Sequence, residues 1–446
     1  MKRYETPDEV AHLLCHHAPP HACSVLDPAV GRGILLKPFV SRFADSLSKV
    51  VCIDSDSTVA DSLWRAFGSS LGERLHFIHA DFLTWTAPRG GAPRVGFDCV
   101  VMNPPFAGRM EDLVKVDLGN AFPAVKRQVR LVPIEAAFVA KAVTILRPGG
   151  RLLAVLPSSL ITSLNTMWLR EALIETGCPL LVHELPRRTF KGVDASVFLL
   201  VYQKSKGSTT VTLCNSDLTK PERIILPCSA LPPHLRLDYS FHRANLWYKA
   251  VRALSPTLGW APVASAADVY RGSVGSPIDS TAVLHTVHRH NAFWRKSNRE
   301  ACRPGPPTPI VAQRGDIVVA RVGRHCAMSS GLYVGRKPVP CSDCLLIARP
   351  KKSGTTTRLL LAIRAVLGGG LGSALLESGT GASYIAQQEF ASLEVPFNLQ
   401  ARWPRLFNLY EGAIRQRDAT LMESVESRVR KRLTRLYDSY GTQSHN

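Results

Sequence analysis

The sequence predicts an α/β chain: a doubly wound, largely parallel sheet in the N-terminal half, then a mixed α+β domain. Three observations predict it. Short apolar runs alternate with helical patterns up to about residue 205, and a glycine-bearing loop follows the first of them. The formal charge of +20 over 446 residues gathers in the second half.

Residues 24–26, 49–53, 75–79, 97–102, 151–156, 181–184 and 195–202 read as strands. They are apolar throughout rather than alternating, which suits strands covered on both faces. Residues 134–146 carry a helical pattern stopped by Pro148-Gly149-Gly150. Around 204–233 the pattern lapses into Ser, Thr, Pro and Lys, so the expected division is a domain at 1–205, a linker at 206–238 and a second domain at 239–446. Beyond the linker, 317–321, 331–334 and 344–347 are strand-like. The tail at 411–440 returns to helical spacing through Leu421, Val425, Val429, Leu433 and Leu436.

With 45% hydrophobic and 20% charged residues, the chain is not mainly disordered. A membrane-spanning helix needs about 18 consecutive apolar residues. The best candidate, 359–376, is broken by Arg364 and the triplet Gly368-Gly369-Gly370. Glu5, Asp8 and Glu9 deny the first 14 residues an apolar signal core, and 11 scattered Cys form no disulfide framework. A cytoplasmic protein is expected. Residues 1–205 hold 23 basic and 19 acidic side chains, whereas 206–446 hold 32 and 16. Between Arg289 and Arg364 stand 15 basic residues, opposed only by Glu300, Asp316 and Asp343. Such a basic region favours a polyanion through counterion release.

The first strand runs into Asp27-Pro28-Ala29-Val30-Gly31-Arg32-Gly33. Glycines there let the backbone approach a ligand at the carboxyl end of the strand, where doubly wound sheets bind nucleotides. Asp54 closes the second strand, where an acid can accept ribose hydroxyls, and Asp81-Phe82 closes the third, an acid beside a ring suited to adenine. Full G-x-G-x-x-G spacing is missing, since Leu36 holds the last place, and this argues against a dinucleotide.

The fourth strand ends in Asn103-Pro104-Pro105-Phe106. An exocyclic or amide nitrogen is a poor nucleophile because its lone pair is delocalised. Two fixed acceptors, the Asn103 side-chain oxygen and the Pro104 carbonyl, can hold both amino hydrogens and stabilise the charge that develops on attack. Consecutive prolines fix φ and hold the carbonyl's direction. Phe106 is placed to stack on a planar substrate.

In that order, Thr6-Pro7, the 27–33 loop, Asp54, Asp81-Phe82 and residues 103–106 resemble S-adenosylmethionine-dependent DNA adenine-N6 methyltransferases. More narrowly, they resemble the gamma group of restriction–modification enzymes, typified by the TaqI enzyme. The resemblance covers about residues 4–205 and implies a Rossmann-like, seven-stranded methyltransferase domain with S-adenosyl-L-methionine as cofactor. It implies that Thr6 and Pro7 lie by the methionine moiety, with Asp27 near its amino group. The 28–33 loop, including Pro28, Ala29, Gly31 and Gly33, would cradle the cofactor. Asp54 would take the ribose, and Asp81 and Phe82 the adenine. Asn103 and Pro104 would hold the target amino group, with Pro105 fixing the turn. Phe106 would stack on one face of a flipped adenine and Phe190 on the other.

Such a family grips double-stranded DNA with a second surface. Gly315–Gly323, Gly331–Gly335, Tyr270-Arg271-Gly272 and Gly379–Ile385 loosely resemble a specificity-subunit target-recognition domain. Arg289, Arg295, Lys296, Arg299, Arg321 and Arg324 are the candidate DNA contacts. Cys341-x-x-Cys344 near His325-Cys326 is read as structural, with no metal expected. Pro227-Cys228 lacks the supporting residues of a cytosine-C5 nucleophile. Two alternatives stay open: methylation of a protein glutamine or RNA, and a DNA-binding subunit that needs a partner for activity. A cognate endonuclease or defence-system subunit is the expected partner, and no membrane is expected.

Overall fold

The computed structural model describes residues 5–86, 96–106, 113–119, 121–123, 129–191, 195–205, 209–231, 235–274, 283–295, 309–323, 325–379 and 383–441. The chain divides into two units, Met1–Tyr239 and Ser240–Asn446. Among the described residues no helix is long and apolar enough to cross a membrane.

The first unit runs α1 (Asp8–His16), β1 (Ser24–Asp27), α2 (Lys37–Phe43), β2 (Lys49–Asp54), α3 (Ala60–Leu71), β3 (Leu75–His79), β4 (Phe97–Met102), β5 (Leu113–Asp117), β6 (Val129–Pro133), α4 (Ile134–Ile145), β7 (Leu146–Pro157), α5 (Ser158–Thr162), α6 (Met167–Thr176), β8 (Cys178–Glu184), β9 (Val197–Gln203), β10 (Thr210–Cys214) and β11 (Arg223–Pro227). Nine strands form one sheet in the order β11-β10-β8-β9-β7-β4-β1-β2-β3. From β3 to β7 neighbours are parallel, while β9 lies antiparallel between β7 and β8. The chain winds outward from β1 to β3 and then returns to place β4 on the other side of β1. That reversal opens a crevice at the carboxyl ends of β1 and β4.

Continuous apolar strands do mark burial on both faces. Val100 and Met102 of β4 enter one core with Leu152 and Ala154 of β7, whereas Cys99 and Val101 enter the opposite core with Leu153 and Val155. Cys99, Val100, Val101 and Met102 are all fully buried. Each contributes roughly 1–3 kcal/mol of apolar burial.

Two expectations are corrected here. Much of the stretch expected to be a linker is sheet: β10 pairs parallel with β8, β11 pairs antiparallel with β10, and the unit boundary falls at Tyr239. β11 is an edge strand and half solvated, and β10 beside it is short with Thr at alternate positions, so their composition resembles a loop. The hairpin β5–β6, between the tetrapeptide at residues 103–106 and α4, has no counterpart among the expected strands.

In the second unit a six-stranded sheet is ordered Ala267–Arg271, Leu345–Pro350, Ile317–Ala320, Ser330–Tyr333, Phe293–Trp294 and Arg289–His290. Helix Thr356–Leu367 is buried along most of its length. The helical tail is two helices, Pro404–Gln416 and Ala419–Gly441, broken where Arg417 adopts φ +58°. Met422, Val425, Val429 and Leu433 form its inner stripe. Glu426 on that stripe accepts from Arg364 Nε at 2.5 Å and from the Tyr410 hydroxyl at 2.8 Å. All three side chains are nearly buried, so the tail is tied to the sheet's covering helix by a desolvated ion pair.

Gly33 has φ +72°, and a Cβ there would lie 2.7 Å from Phe67 Cε2 and 2.8 Å from Leu63 Cδ2 of α3. Gly33→Ala is expected to cost about 2–4 kcal/mol, combining left-handed strain with overpacking; an unchanged urea midpoint would refute this. Glu426→Gln leaves the Arg364 guanidinium buried without a counterion and is expected to destabilise the chain by about 3–5 kcal/mol. Thermal unfolding checks that figure, and a melting temperature equal to wild type would count against the ion pair.

Candidate active site

Asp27 is the last residue of β1 and is 1% exposed. Its Oδ1 accepts the Ala29 amide at 3.1 Å, closing a tight turn directly after the strand. Burial pushes its carboxyl up to about 7; the Ala29 amide opposes the shift and the nearby negative charge of Asp54 adds to it. A desolvated acid beside a second acid is a place that favours a cation.

Asp54 ends β2 and is also buried. It accepts the Gly31 amide at 2.9 Å and the Asp56 amide at 3.0 Å. The Val30 amide donates to the Ile53 carbonyl at 3.1 Å, so the β1 loop is fastened to the end of β2. Gly31, at φ +50°, has open space where a Cβ would stand. Pro28 is buried, whereas Ala29 and Gly31 are half-buried. At Gly31 the loop therefore presents only backbone.

Asn103 follows β4 directly and is half-buried. Its Nδ2 donates to Thr6 Oγ1 at 3.0 Å. Thr6 is buried, and Pro7 precedes α1 with its carbonyl accepting the Val10 and Ala11 amides, both at 3.1 Å. Using Nδ2 on Thr6 sets the amide's orientation and commits Oδ1 to the acceptor role on the opposite arm. The resemblance leads us to expect Thr6 beside a cofactor; its hold on Asn103, 97 residues away, comes only from the fold. Pro104 is buried, and Pro105 and Phe106 are half-buried.

Two rings expected to stand open do not. Phe82 is 2% exposed and packs on Phe138, with ring centroids 5.1 Å apart. Asp81 beside it is exposed and accepts the Leu83 amide at 2.9 Å. Lys141 of α4, which no sequence motif marks, secures this turn by donating to the Leu83 carbonyl at 2.9 Å and to the Trp85 carbonyl. Phe190 is 4% exposed, in the core that Phe106 packs against. An apolar ring beside a sheet gains more from burial than from water, so both rings face inward.

Of the six basic candidates, Lys296, Arg299 and Arg324 lie outside the described residues. Arg295 is exposed. Arg289 is committed to the protein, donating to the Asn291 carbonyl at 2.6 Å and to Ser329 Oγ at 2.9 Å. Arg321 donates to the Asp343 carbonyl at 2.5 Å and pairs with the Asp343 carboxylate at 3.7 Å. Both brace loops of the second unit, in place of the open DNA contacts expected of them.

Residues 70–222 match the family model described as N-6 DNA Methylase. Among solved structures, the type I restriction-modification methyltransferase subunit from Streptococcus thermophilus is 21% identical, with a TM-score of 0.38, over 48% of this chain and 47% of that one. The type I restriction enzyme EcoKI M protein is 16% identical, with a TM-score of 0.35, over 48% of each chain. The type IIG restriction endonuclease BpuSI is 13% identical, with a TM-score of 0.48, over 94% of this chain and 60% of that one. The match thus spans about half the length of the two type I proteins. Residues 70–222, the segment that carries Asn103, Pro104, Pro105 and Phe106, match the N-6 DNA methylase family model.

Proposed function

We propose that this chain transfers a methyl group from S-adenosyl-L-methionine to N6 of an adenine flipped out of double-stranded DNA, in the manner of the gamma-group restriction–modification enzymes. The observation that carries the reading is the tetrapeptide at residues 103–106, set at the end of the interior strand β4, beside the strand that ends in buried Asp27. The residues fit the cofactor. Asp27, a buried acid whose proton is held up to about 7, suits an ammonium group. Asp54 suits ribose hydroxyls, the 28–33 backbone suits close approach, and exposed Asp81 suits the adenine edge. Bound, the cofactor supplies the electrophilic methyl group.

The protein's own part is to hold the nucleophile. Asn103 Oδ1 and the Pro104 carbonyl accept the two hydrogens of the target amino group and draw its lone pair away from the ring. They then stabilise the positive charge as it develops. Phe106, half-buried, stacks on the base. Buried Phe190 has no part in stacking in this arrangement. Flipping costs a few kcal/mol, which contacts to the duplex must offset. The second unit, with 28 basic and 13 acidic side chains, is suited to supply them. A cognate endonuclease or defence-system subunit is the partner, and the compartment is the cytoplasm, at the nucleoid.

Purified protein with tritiated cofactor is expected to label plasmid DNA at N6 of adenine, and Asn103→Ala to lower the rate by about 10² or more. Absence of label from DNA, or equal labelling by the variant, would sink the reading. A second expectation concerns pH. Cofactor binding requires the Asp27 carboxylate, so it releases a proton where free Asp27 is protonated, below about 7. Affinity should therefore fall by up to about tenfold per unit as pH drops from 7 to about 5.5. Asp27→Asn should bind weakly and lose most of that dependence. Calorimetry in two buffers reads both affinity and proton release, and a flat profile in the wild type would refute the assignment.

A further inference from the structure

A groove of about 700 Å³ lies between the hairpin β5–β6 and the start of α6. Lys115, Val129, Arg130, Leu131, Asn165 and Trp168 line it. Neither the cofactor loop nor the tetrapeptide makes use of it. The lining holds two cations and no acid, together with an aromatic ring and two aliphatic side chains. Arg130 lies over the Trp168 ring, its guanidinium carbon 5.3 Å from the centroid. Leu131 is 69% exposed and Val129 46%, unusual exposure for aliphatic side chains in a hairpin. Lys115 and Asn165 are exposed as well.

Its position follows from the topology. β4 and β7 are parallel neighbours, with Met102 opposite Ala154, so their carboxyl ends share one edge of the sheet. Asn103 leaves β4 at that edge, and Leu113 opens the hairpin ten residues later. α5 and then α6 follow β7 from the same edge, with Trp168 in the first turn of α6. Both walls of the groove are therefore hung from the edge that carries the proposed catalytic tetrapeptide.

Cations beside an aromatic ring and apolar side chains match the chemistry of a nucleic-acid strand, whose phosphates alternate with apolar sugar and base faces. We propose that this groove holds the sugar–phosphate backbone of the target strand next to the adenine being methylated, with Lys115 and Arg130 on phosphates and Leu131 and Trp168 against the sugars. The proposal rests on the DNA-methyltransferase reading above and assigns part of the DNA grip to the catalytic unit, whose overall charge is nearly balanced.

Leu131 projects into solvent, so substitution there spares the core. Binding of a fluorescein-labelled DNA duplex of mixed sequence, followed by anisotropy across a salt series with the full chain, tests the groove. Leu131→Lys is expected to tighten binding and Leu131→Glu to weaken it, with about tenfold or more between them. Lys115→Ala with Arg130→Ala should reduce the slope of log affinity against log salt by about two, one for each phosphate no longer neutralised. It should also raise the KM for DNA while leaving cofactor affinity unchanged. Wild-type slope and KM in the double variant, or Leu131 variants that bind DNA equally, would overturn the groove even if the wild type methylates DNA. A groove that instead seats another protein gives that same pattern. A wild type that neither binds nor labels DNA would overturn the parent reading together with this one.

Discussion

The first unit depends on one packing constraint: β4 must lie between β1 and β7 with both faces dry. Val100 and Met102 fill one core, and Cys99 and Val101 fill the other, so the strand has no freedom to slide or turn over. A shift of one residue would exchange the two faces along its length. With β4 fixed in this way, Asp27 and Asn103 leave neighbouring parallel strands at the same carboxyl edge, although they lie far apart in the chain. Each is then held by a local bond, Asp27 by the Ala29 amide and Asn103 by Thr6. The apolar sheet sets the site's position to within a strand spacing, and the polar contacts set its orientation.

The same edge concentrates charge that folding alone would disfavour. Asp27 and Asp54 are both buried, and Asp27 is held partly protonated near neutrality by desolvation and by its neighbour. A structure selected only for stability would place an apolar residue at the end of β1. A desolvated acid kept there beside a second acid is consistent with the cofactor role proposed for Asp27. The second unit treats its charges differently. Arg364, Glu426 and Tyr410 satisfy one another inside the core, and Arg289 and Arg321 are spent on backbone carbonyls. Net positive charge there is a property of the exposed remainder, and a count of arginines overstates what is free to meet a polyanion.

The legibility of the chain follows burial. β1, β2, β4 and β7 to β9 are readable because strands covered on both faces must be continuously apolar, and edge strand β3 through Leu75, Phe77 and Ile78. β10 and β11 read as a linker because both are short and flanked by polar residues, and β11, at the sheet edge, is half solvated: only Ile224 and Leu226 turn inward, while Ile225 is 66% exposed. The hairpin β5–β6 escapes sequence reading for the same reason, with Lys115 and Asp117 interrupting its apolar positions. In the tail the helical spacing and its phase are both evident, with Val425, Val429 and Leu433 fully buried; only at the start does Met422 take the inner place, where Leu421 is half-buried.

The α/β class, the order of the motifs, the acids at the strand ends and the acceptor pair at Asn103 and Pro104 stand in the sequence alone, because they are local in the chain. Which rings are open, which arginines are already partnered, and that Thr6 orients Asn103 were settled only by the tertiary structure. So was the basic groove that the hairpin β5–β6 and α6 enclose. These depend on contacts between residues far apart in sequence. Local composition carries little record of such contacts, because the energy of a buried ring or a paired guanidinium is set by what the fold brings against it.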